Sequence, residues 1–557
     1  DIKNVILEEG VTSIGDVAFM YCSEMETIKF PKSLQSIGEL AFVECKALKS
    51  LTIPENVVRI DKTSFVDFAS IESINVSENN KNYTSVDGVL FDKKMNTLLL
   101  YPMGSDAEEY TVPDGVTIIS GSAFKDAENL KSIKMSDSVK AISGQTFSGC
   151  KNLESVELSE NITIIKENAF YGCSSLASIV IPNNVTRIEN GAFQHCIALS
   201  SVTFPESIEY FGSRTFSNTA WIEAERKKSP FVVVNGILMD GTELTGDIVI
   251  PETVSHIMGT AFIDNQGITS IVVPDTVTEI DEYAFYSCQQ VTSIKLPDTI
   301  KSIGEGAFMH CYELTEINIP DGVESIGDIA FNKCEKLVEI TIPDSVRSIG
   351  REAFKACYAL ESVVIPEGVT TINDRTFSEC TSLKSITFPS TLTSIGSDAF
   401  YNCFDLKHIT IPENITSIAK GAFNRCNSMK SITIENPKCE IDDSSHTISF
   451  RSTIYGYEGS TAQAYAEKYE RKFVDIEKMY DSIETGDING DGMIDSSDAS
   501  LVLAEYAKIQ TGEDETFTKE QNIAADVNKD GVIDSSDASK ILSYYAMVST
   551  GKEPSWD

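Results

Sequence analysis

The chain has 557 residues, with 84 Asp and Glu against 45 Lys and Arg, and carries a formal charge of −39. Such acidity argues against nucleic acid and anionic membrane surfaces as partners, because both are polyanions. No apolar run reaches the 18 residues a bilayer requires, and no secretory leader is visible, as in a mature or trimmed form.

Thirteen cysteines would ordinarily suggest a disulfide scaffold, but their spacing says otherwise. Cys22 and Cys45 are 23 residues apart, as are Cys150, Cys173 and Cys196, and then Cys288, Cys311, Cys334, Cys357, Cys380, Cys403 and Cys426. A residue recurring at one place in a repeat marks a stacked ladder, in which the thiols act as small buried hydrophobes. Cys439 is off the ladder and has no assignment. The unit reads Val-x-x-Ile-Gly-x-x-Ala-Phe-x-x-Cys-x-x-Leu-x-Ser-Ile-x-Ile-Pro, as in Val323 to Pro343, and its phenylalanine recurs sixteen times between Phe19 and Phe423. One such unit buries too little apolar surface to offset the entropy of ordering it, so units must stack and share a hydrogen-bonded sheet. Alternation in Lys384 to Pro389 predicts a short strand with Ile386 and Phe388 inward, ended by a proline that lacks the ladder amide. Val-x-x-Ile reads as a second short strand and Ala-Phe as a tight helical turn.

These repeats resemble the BspA-type leucine-rich repeats of bacterial surface proteins, and the resemblance covers nearly all of Asp1 to Ile434. It implies a solenoid, a right-handed leucine-rich-repeat coil of 23-residue units with a parallel sheet. Residues 1–435 are read as this array.

The period breaks twice. Phe65 and Phe124 are 59 residues apart, and the extra piece, 77–110, holds apolar runs on either side of Asp92 to Asn96, which predicts a hairpin bulging from the coil. Phe216 and Phe262 are 46 residues apart, an irregular double-length unit over 217–261, with a helix at Trp221 to Lys228 and strands at Phe231 to Met239 and Asp247 to Ile250. Both read as register adjusters.

The outward strand positions, from Lys29 and Thr52 to Thr410 and Thr433, include no aromatic residue, so the sheet is a poor polysaccharide reader. Tyr286, Tyr312, Tyr358, Tyr401 and Phe404 fall beside the cysteine ladder, where packing between turns explains them more simply than ligand binding. Little supports catalysis: His195, His256, His310, His408 and His446 are scattered, with neither His-Glu-x-x-His nor Gly-x-Ser-x-Gly. No catalytic residues are assigned. After the last repeat, 436–476 reads as a C-terminal cap, with a capped helix at Ser460 to Lys468 and a closing strand at Lys472 to Ile476, and 477–484 as a polar linker.

The stretch Asp487-Ile-Asn-Gly-Asp-Gly-Met-Ile-Asp-Ser-Ser-Asp498 and its copy Asp526 to Asp537, 39 residues on, place side-chain oxygens at the first, third, fifth, ninth and twelfth positions and glycine at the sixth. That is the pattern of a calcium loop. The predicted ligands are Asp487, Asn489, Asp491, Asp495 and Asp498 with the Met493 carbonyl, and Asp526, Asn528, Asp530, Asp534 and Asp537 with the Val532 carbonyl. Four carboxylates within twelve residues repel unless a divalent cation sits among them, and so many oxygens favour two Ca2+ over magnesium. Helices are expected over Ala499 to Lys508 and Ala538 to Met547, with Val502 and Tyr506, and Ile541 and Tyr545, on buried faces.

The segment from Thr485 to Trp556 resembles a type I dockerin, the module that plugs secreted proteins into the cohesins of scaffoldins. Asp-Ser-Ser-Asp-Ala-Ser recurs letter for letter at Asp495 to Ser500 and Asp534 to Ser539. Each loop closes on Asp rather than Glu, and Asp481 to Gly486 is too short for an entering helix. The resemblance implies a small all-α calcium-binding dockerin over 485–557. Its cohesin-reading positions would be Ser496, Ser497, Leu503, Ala504 and Lys508, then Ser535, Ser536, Leu542, Ser543 and Met547. From the residues alone each Ser-Ser pair serves equally well as a helix cap. Because both halves present the pair, docking in two orientations is open, with Lys508 opposite Met547 breaking the symmetry. The expected function is therefore a secreted, extracellular, non-catalytic cellulosome-type component. It binds cohesin through calcium while the solenoid recognises a protein or cell-surface ligand. Adhesion to plant polysaccharide and an undetected hydrolase activity are the alternatives.

Overall fold

The computed structural model describes residues 2–556 apart from 66, 67, 69, 481, 482 and 512–515. The chain divides into two compact units, Asp1–Val369 with Thr376–Thr381, and Thr370–Arg375 with Ser382–Asp557.

In the first unit a regular coil contributes two short strands, and each pairs in parallel with its counterpart one period on. Asn4–Ile6 lies beside Thr27–Lys29, and Ser13–Ile14 beside Ser36–Ile37. The repeat itself sets the register, so that Ser132 faces Ser155 and Ile164 faces Arg187. One side chain per strand points in and its neighbours point out. Ile179 is buried while Val180 beside it is 65 % exposed.

Phenylalanines form a column through the core. Centroids of Phe124, Phe147, Phe170, Phe193 and Phe216 follow one another at 5.0–5.2 Å, and Phe262 to Phe377 form a second run. No cysteine is bridged, and every one but Cys22 is buried. Ladder thiols lie against the phenylalanine carbonyl of the preceding coil, as Cys150 Sγ does against Phe124 O (3.0 Å) and Cys311 Sγ against Phe285 O (3.3 Å). Sulfur thus fills a small apolar niche and satisfies a buried carbonyl. Phe68, Ala127, Thr219 and Asn265 take the cysteine place in the coils that border the two breaks. Asn265 Nδ2 there donates to three carbonyls, of Gly241, Thr242 and Leu244.

The Ala-Phe stretch is not the helical turn expected. Two residues per coil, four apart, have positive φ even when they are not glycine: Ile329 (49°) and Lys333 (60°), Glu352 (55°) and Ala356 (58°). Their cost is offset by hydrogen bonds to the next coil, where Ile329, Phe331 and Lys333 donate to the carbonyls of Arg351, Ala353 and Lys355 at 2.8 Å each.

The insertion over 77–110 does not bulge from the coil. Val89–Asp92 pairs antiparallel with Tyr83–Val86 and with Thr97–Leu100, and the latter carries the parallel ladder on to Ile118–Ile119. The Asp87-Gly88 turn has φ of 49° and 77°, the backbone twist a two-residue hairpin favours. The second break reuses the device. After helix α1 (Ala220–Lys228), capped by the Thr219 hydroxyl, Val232–Val234 and Ile237–Asp240 form a hairpin across Asn235-Gly236 (φ 50° and 78°). Its second strand then rejoins the ladder at His256–Ile257.

In the second unit, His408–Ile411, Ser431–Ile434, Thr453–Gly456 and Phe473–Asp475 continue one parallel sheet. Helix α2 (Thr461–Lys468) is capped by Ser460, and the Tyr465 hydroxyl donates to Ser444 O (2.8 Å) while accepting from Ile448 N. Cys439 is buried beside it, with its carbonyl accepting from the Thr461 hydroxyl (2.6 Å). Where the sequence suggests a plain linker, Ile476–Tyr480 form a short helix, α3; Asp481 and Ser482 of that linker lie outside the described residues. Three helices follow: α4 (Ser496–Thr511), α5 (Lys519–Ala525) and α6 (Ser535–Ser549). Among the described residues, no helix is long and apolar enough to cross a membrane.

Candidate functional site

The two acidic loops fold alike because the same side chains accept the same backbone amides. In the first, Asp487 accepts from Gly490 (2.9 Å), Asp491 (3.2 Å) and Gly492 (2.9 Å), and Asp491 Oδ1 from Met493 (2.8 Å). In the second, Asp526 accepts from Asp530 (3.1 Å) and Gly531 (3.0 Å), and Asp530 from Val532 (2.9 Å). Asn489 and Asn528 accept from the amides of Asp491 and Asp530. Gly492 and Gly531 take positive φ, 80° and 81°, at the sharp bend.

The twelfth residue anchors each loop to its helix. Asp498 and Asp537 are fully buried. Asp498 accepts from Ile488 (2.8 Å), Asn489 and Asp495, and Asp537 from Asn528 (3.3 Å) and Asp534 (3.1 Å). Burial pushes the Asp537 carboxyl above its ordinary range against the pull of those two amides, and the charges of Asp526 and Asp530 push the same way. Asp495 and Asp534 are held below theirs by the hydroxyl and amide of Ser497 and Ser536 respectively. The donor set of each loop fits a hard divalent cation: the donors are all oxygen, and a cation would relieve the mutual repulsion. Met493 and Val532, whose carbonyls were singled out, turn their side chains to solvent (61 % and 57 % exposed).

The predicted partner-reading residues lie on the outer faces of α4 and α6. Ser496, Ser497, Leu503 and Ala504 are exposed, as are Ser535, Ser536, Leu542 and Ser543, while Lys508 and Met547 are half-buried. The cap of α6 is Asp534, not a serine, and the pair forms the first turn of the helix. Ser497 and Ser536 hydroxyls accept from Asn489 (3.1 Å) and Asn528 (2.9 Å), which ties each pair to its loop. Lys508 Nζ donates to Thr516 Oγ1 (2.7 Å). Val502 and Ile541 are buried as expected, but Tyr545 is 41 % exposed. Its neighbour Tyr544 stacks on Trp556 instead (4.3 Å, 17°). Gly486 (φ 95°) lies under the same indole, where a Cβ would come within 2.4 Å of the ring. The start and end of the module are thereby held together.

Helix α5 before the second loop was missed, although Thr518 and Gln521 form its capping box. A second omission lies in the repeats. Among the described residues, the one group of three His, Cys, Asp or Glu donors within 4.8 Å of one another is His256, Glu279 and Asp281. The loop carboxylates, each drawn onto backbone amides, converge less tightly.

Family models match at both ends of the chain. The model for the BspA type leucine rich repeat region matches residues 1–96, 103–223, 240–361 and 347–454 in six copies. The chain belongs to the BspA-type leucine-rich repeat family. Behind these repeats, the model of the dockerin type I domain matches residues 485–544, so a type I dockerin follows the BspA-type array. Dockerins of this type are calcium-binding modules whose partners are cohesins. No curated protein matches the chain. Solved structures similar to this BspA-type chain include a leucine-rich repeat protein from Bacteroides ovatus, at 25 % identity over 78 % of this chain and 92 % of that one, TM-score 0.30. Others are a leucine rich cell surface protein from Faecalibacterium prausnitzii (23 %, 80 % and 89 %, 0.27) and the pneumococcal vaccine antigen PcpA (19 %, 71 % and 96 %, 0.35).

Proposed function

We propose that this chain is a secreted, non-catalytic component of a cellulosome-type assembly. Its C-terminal module takes up two Ca2+ and docks onto a scaffoldin cohesin, while the solenoid recognises a protein or cell-surface ligand. One ion would be held by Asp487, Asn489, Asp491, Asp495, Asp498 and the Met493 carbonyl. The other would be held by Asp526, Asn528, Asp530, Asp534, Asp537 and the Val532 carbonyl. Bound calcium would supply the positive charge that lets four carboxylates share one loop, and so fix the first turns of α4 and α6.

The observation that carries this reading is the likeness of the two helices. Each follows an acidic loop, opens on an exposed Ser-Ser pair, and presents an outward leucine at the same distance along it. Leu503 and Leu542 are each 43 % exposed. Exposed leucines flanked by hydroxyls on a rigid helix give a partner an apolar anchor with directional hydrogen bonds around it. A calorimetric titration of the full chain with a type I cohesin, with and without chelator, tests the proposal: tight binding in calcium that vanishes on chelation supports it. Equal binding in both, or none in either across type I cohesins, refutes it.

A further inference from the structure

The repeat supplies its own reference for what a coil needs. Before the isoleucine of the Val-x-x-Ile stretch, seven coils place serine: Ser13, Ser36, Ser302, Ser325, Ser348, Ser394 and Ser417. From Arg59 to Glu279 no coil does, and the four around the second break carry Arg187, Tyr210, His256 and Glu279. The residue after that isoleucine is most often glycine, and there Asp281 intrudes. Stacking gathers these departures on one wall. The Arg187 guanidinium lies 3.8 Å over the Tyr210 ring, the edge of Tyr210 meets His256 (6.2 Å), and His256 Nε2 is 2.9 Å from Asp281 Oδ2. Ile257 pairs with Ile280 in the same ladder, which brings His256 and Glu279 side by side. Donor atoms of His256, Glu279 and Asp281 all lie within 4.8 Å of one another.

We propose that His256, Glu279 and Asp281 bind a divalent transition-metal ion of the zinc class. One imidazole nitrogen and two carboxylate oxygens are ligands that zinc accepts at about 2.0–2.2 Å, which puts neighbouring donors of a tetrahedral site about 3.3–3.5 Å apart. His256 and Asp281 reach that separation by a shift of a few tenths of an ångström, and exposed Glu279 is free to rotate inward. The amide of Gly259 donates to Asp281 Oδ2 (3.3 Å) and Tyr210 braces the imidazole, so two of the three ligands are already oriented. Charge favours the ion as well. Glu282 and Glu305 join Glu279 and Asp281 around a cavity of about 390 Å³ that also touches Tyr210 and Ser302, whereas Arg187 is engaged on a ring. On binding, the imidazole gives up any proton on the ligating nitrogen to solvent. Three protein ligands would leave a fourth position to water or to a ligand of the metal, beside the cavity that Glu279 and Asp281 line. This site is independent of the C-terminal loops.

The full chain, saturated with calcium to fill those loops, is titrated with Co2+ and followed by its visible d–d bands, and with Zn2+ by calorimetry. The expected result is uptake that weakens at least tenfold in His256→Gln and in Asp281→Asn, and at least fivefold in Glu279→Gln. The side-chain amide introduced by His256→Gln retains a donor for Asp281, and Glu279 is exposed, so these variants keep the fold, which an unchanged melting curve without metal verifies. Identical titrations for the parent and Glu279→Gln overturn the proposal. So does a sulfur-to-cobalt charge-transfer band that grows with the d–d bands, since it would assign the metal to the thiol ladder.

Discussion

One coil of the solenoid, Val323 to Pro343, buries eight apolar side chains: Val323, Ile326, Ala330, Phe331, Cys334, Leu337, Ile340 and Ile342. The core of the dockerin also numbers eight fully buried residues, but it serves some seventy residues of chain and four of the eight are alanines, Ala499, Ala524, Ala525 and Ala538. The coil is dense in hydrocarbon and repeats its contacts, so each turn is held by two neighbours. The dockerin has few such contacts and concentrates carboxylates instead. Its helices are long enough to propagate, but their packing is thin, and small domains with thin cores rely on bound metal or cross-links. On the proposed calcium sites, the regions differ in where the stabilising free energy would reside: in burial upstream, in charge neutralisation downstream.

The strongest way to break that comparison is chelation. Removing calcium from the full chain is expected to abolish the cooperative transition of the dockerin and its cohesin binding, while the solenoid melts at an unchanged temperature. Circular dichroism melts with and without chelator, together with the binding assay, check this. A shared shift of both transitions would show that the regions are not energetically separate.

Alkali should do the reverse. Burial pushes the thiols of Cys150, Cys311, Cys357 and Cys426 from an ordinary value near 9 to about 12. Between those limits the folded chain keeps protons that the unfolded chain has lost. Stability is therefore complete below about pH 9 and falls as pH rises toward 12, by up to about 1.4 kcal/mol per pH unit for each such thiol. The dockerin has no cysteine after Cys439 and lacks this term. Denaturant melts from pH 8 to 11 should show the solenoid midpoint falling steeply, and a Cys311→Ala, Cys357→Ala double variant should flatten the slope.

A single core truncation is next in size. Phe331 is completely buried and stacks on Phe308 and Phe354 at 5.3 and 5.2 Å, so Phe331→Ala should cost about 3–5 kcal/mol of solenoid stability. Cohesin affinity should not change. Urea melts and the docking titration measure the two effects separately.

The contrast between the regions also governs what could be read in advance. The period, the unbridged thiols and the phenylalanine column are legible because a repeat multiplies a weak signal, and the calcium loops because ligand spacing is local. The left-handed corners at Ile329 and Lys333 were hidden, since neither residue favours positive φ by itself and only hydrogen bonds to the next coil hold it there. His256 and Asp281 are 25 residues apart, and no local rule joins them; only the stacking of one coil on the next brings them together. In the dockerin, Tyr545 was placed inward on four-residue spacing, but Trp556, distant in sequence, takes Tyr544 instead.

The serine pairs sharpen the comparison within the dockerin itself, and here the expected effect of each change is smallest. If both helices can face the cohesin, replacing Ser496 and Ser497 by alanine leaves the second half to dock, and replacing Ser535 and Ser536 leaves the first. Each double variant should then bind within about threefold of the parent, or within about 0.7 kcal/mol. The fourfold variant should lose at least a hundredfold. The two halves are not identical, because Lys508 is held by Thr516 and Glu505 where the second half has Met547. A cohesin with an acidic patch would favour the orientation that presents Lys508, and that preference should fade with salt, as a partly exposed charge requires. If one double variant alone abolishes binding at every salt concentration, the module docks one way only, and the repeat of Asp-Ser-Ser-Asp-Ala-Ser in both halves then serves calcium rather than the partner.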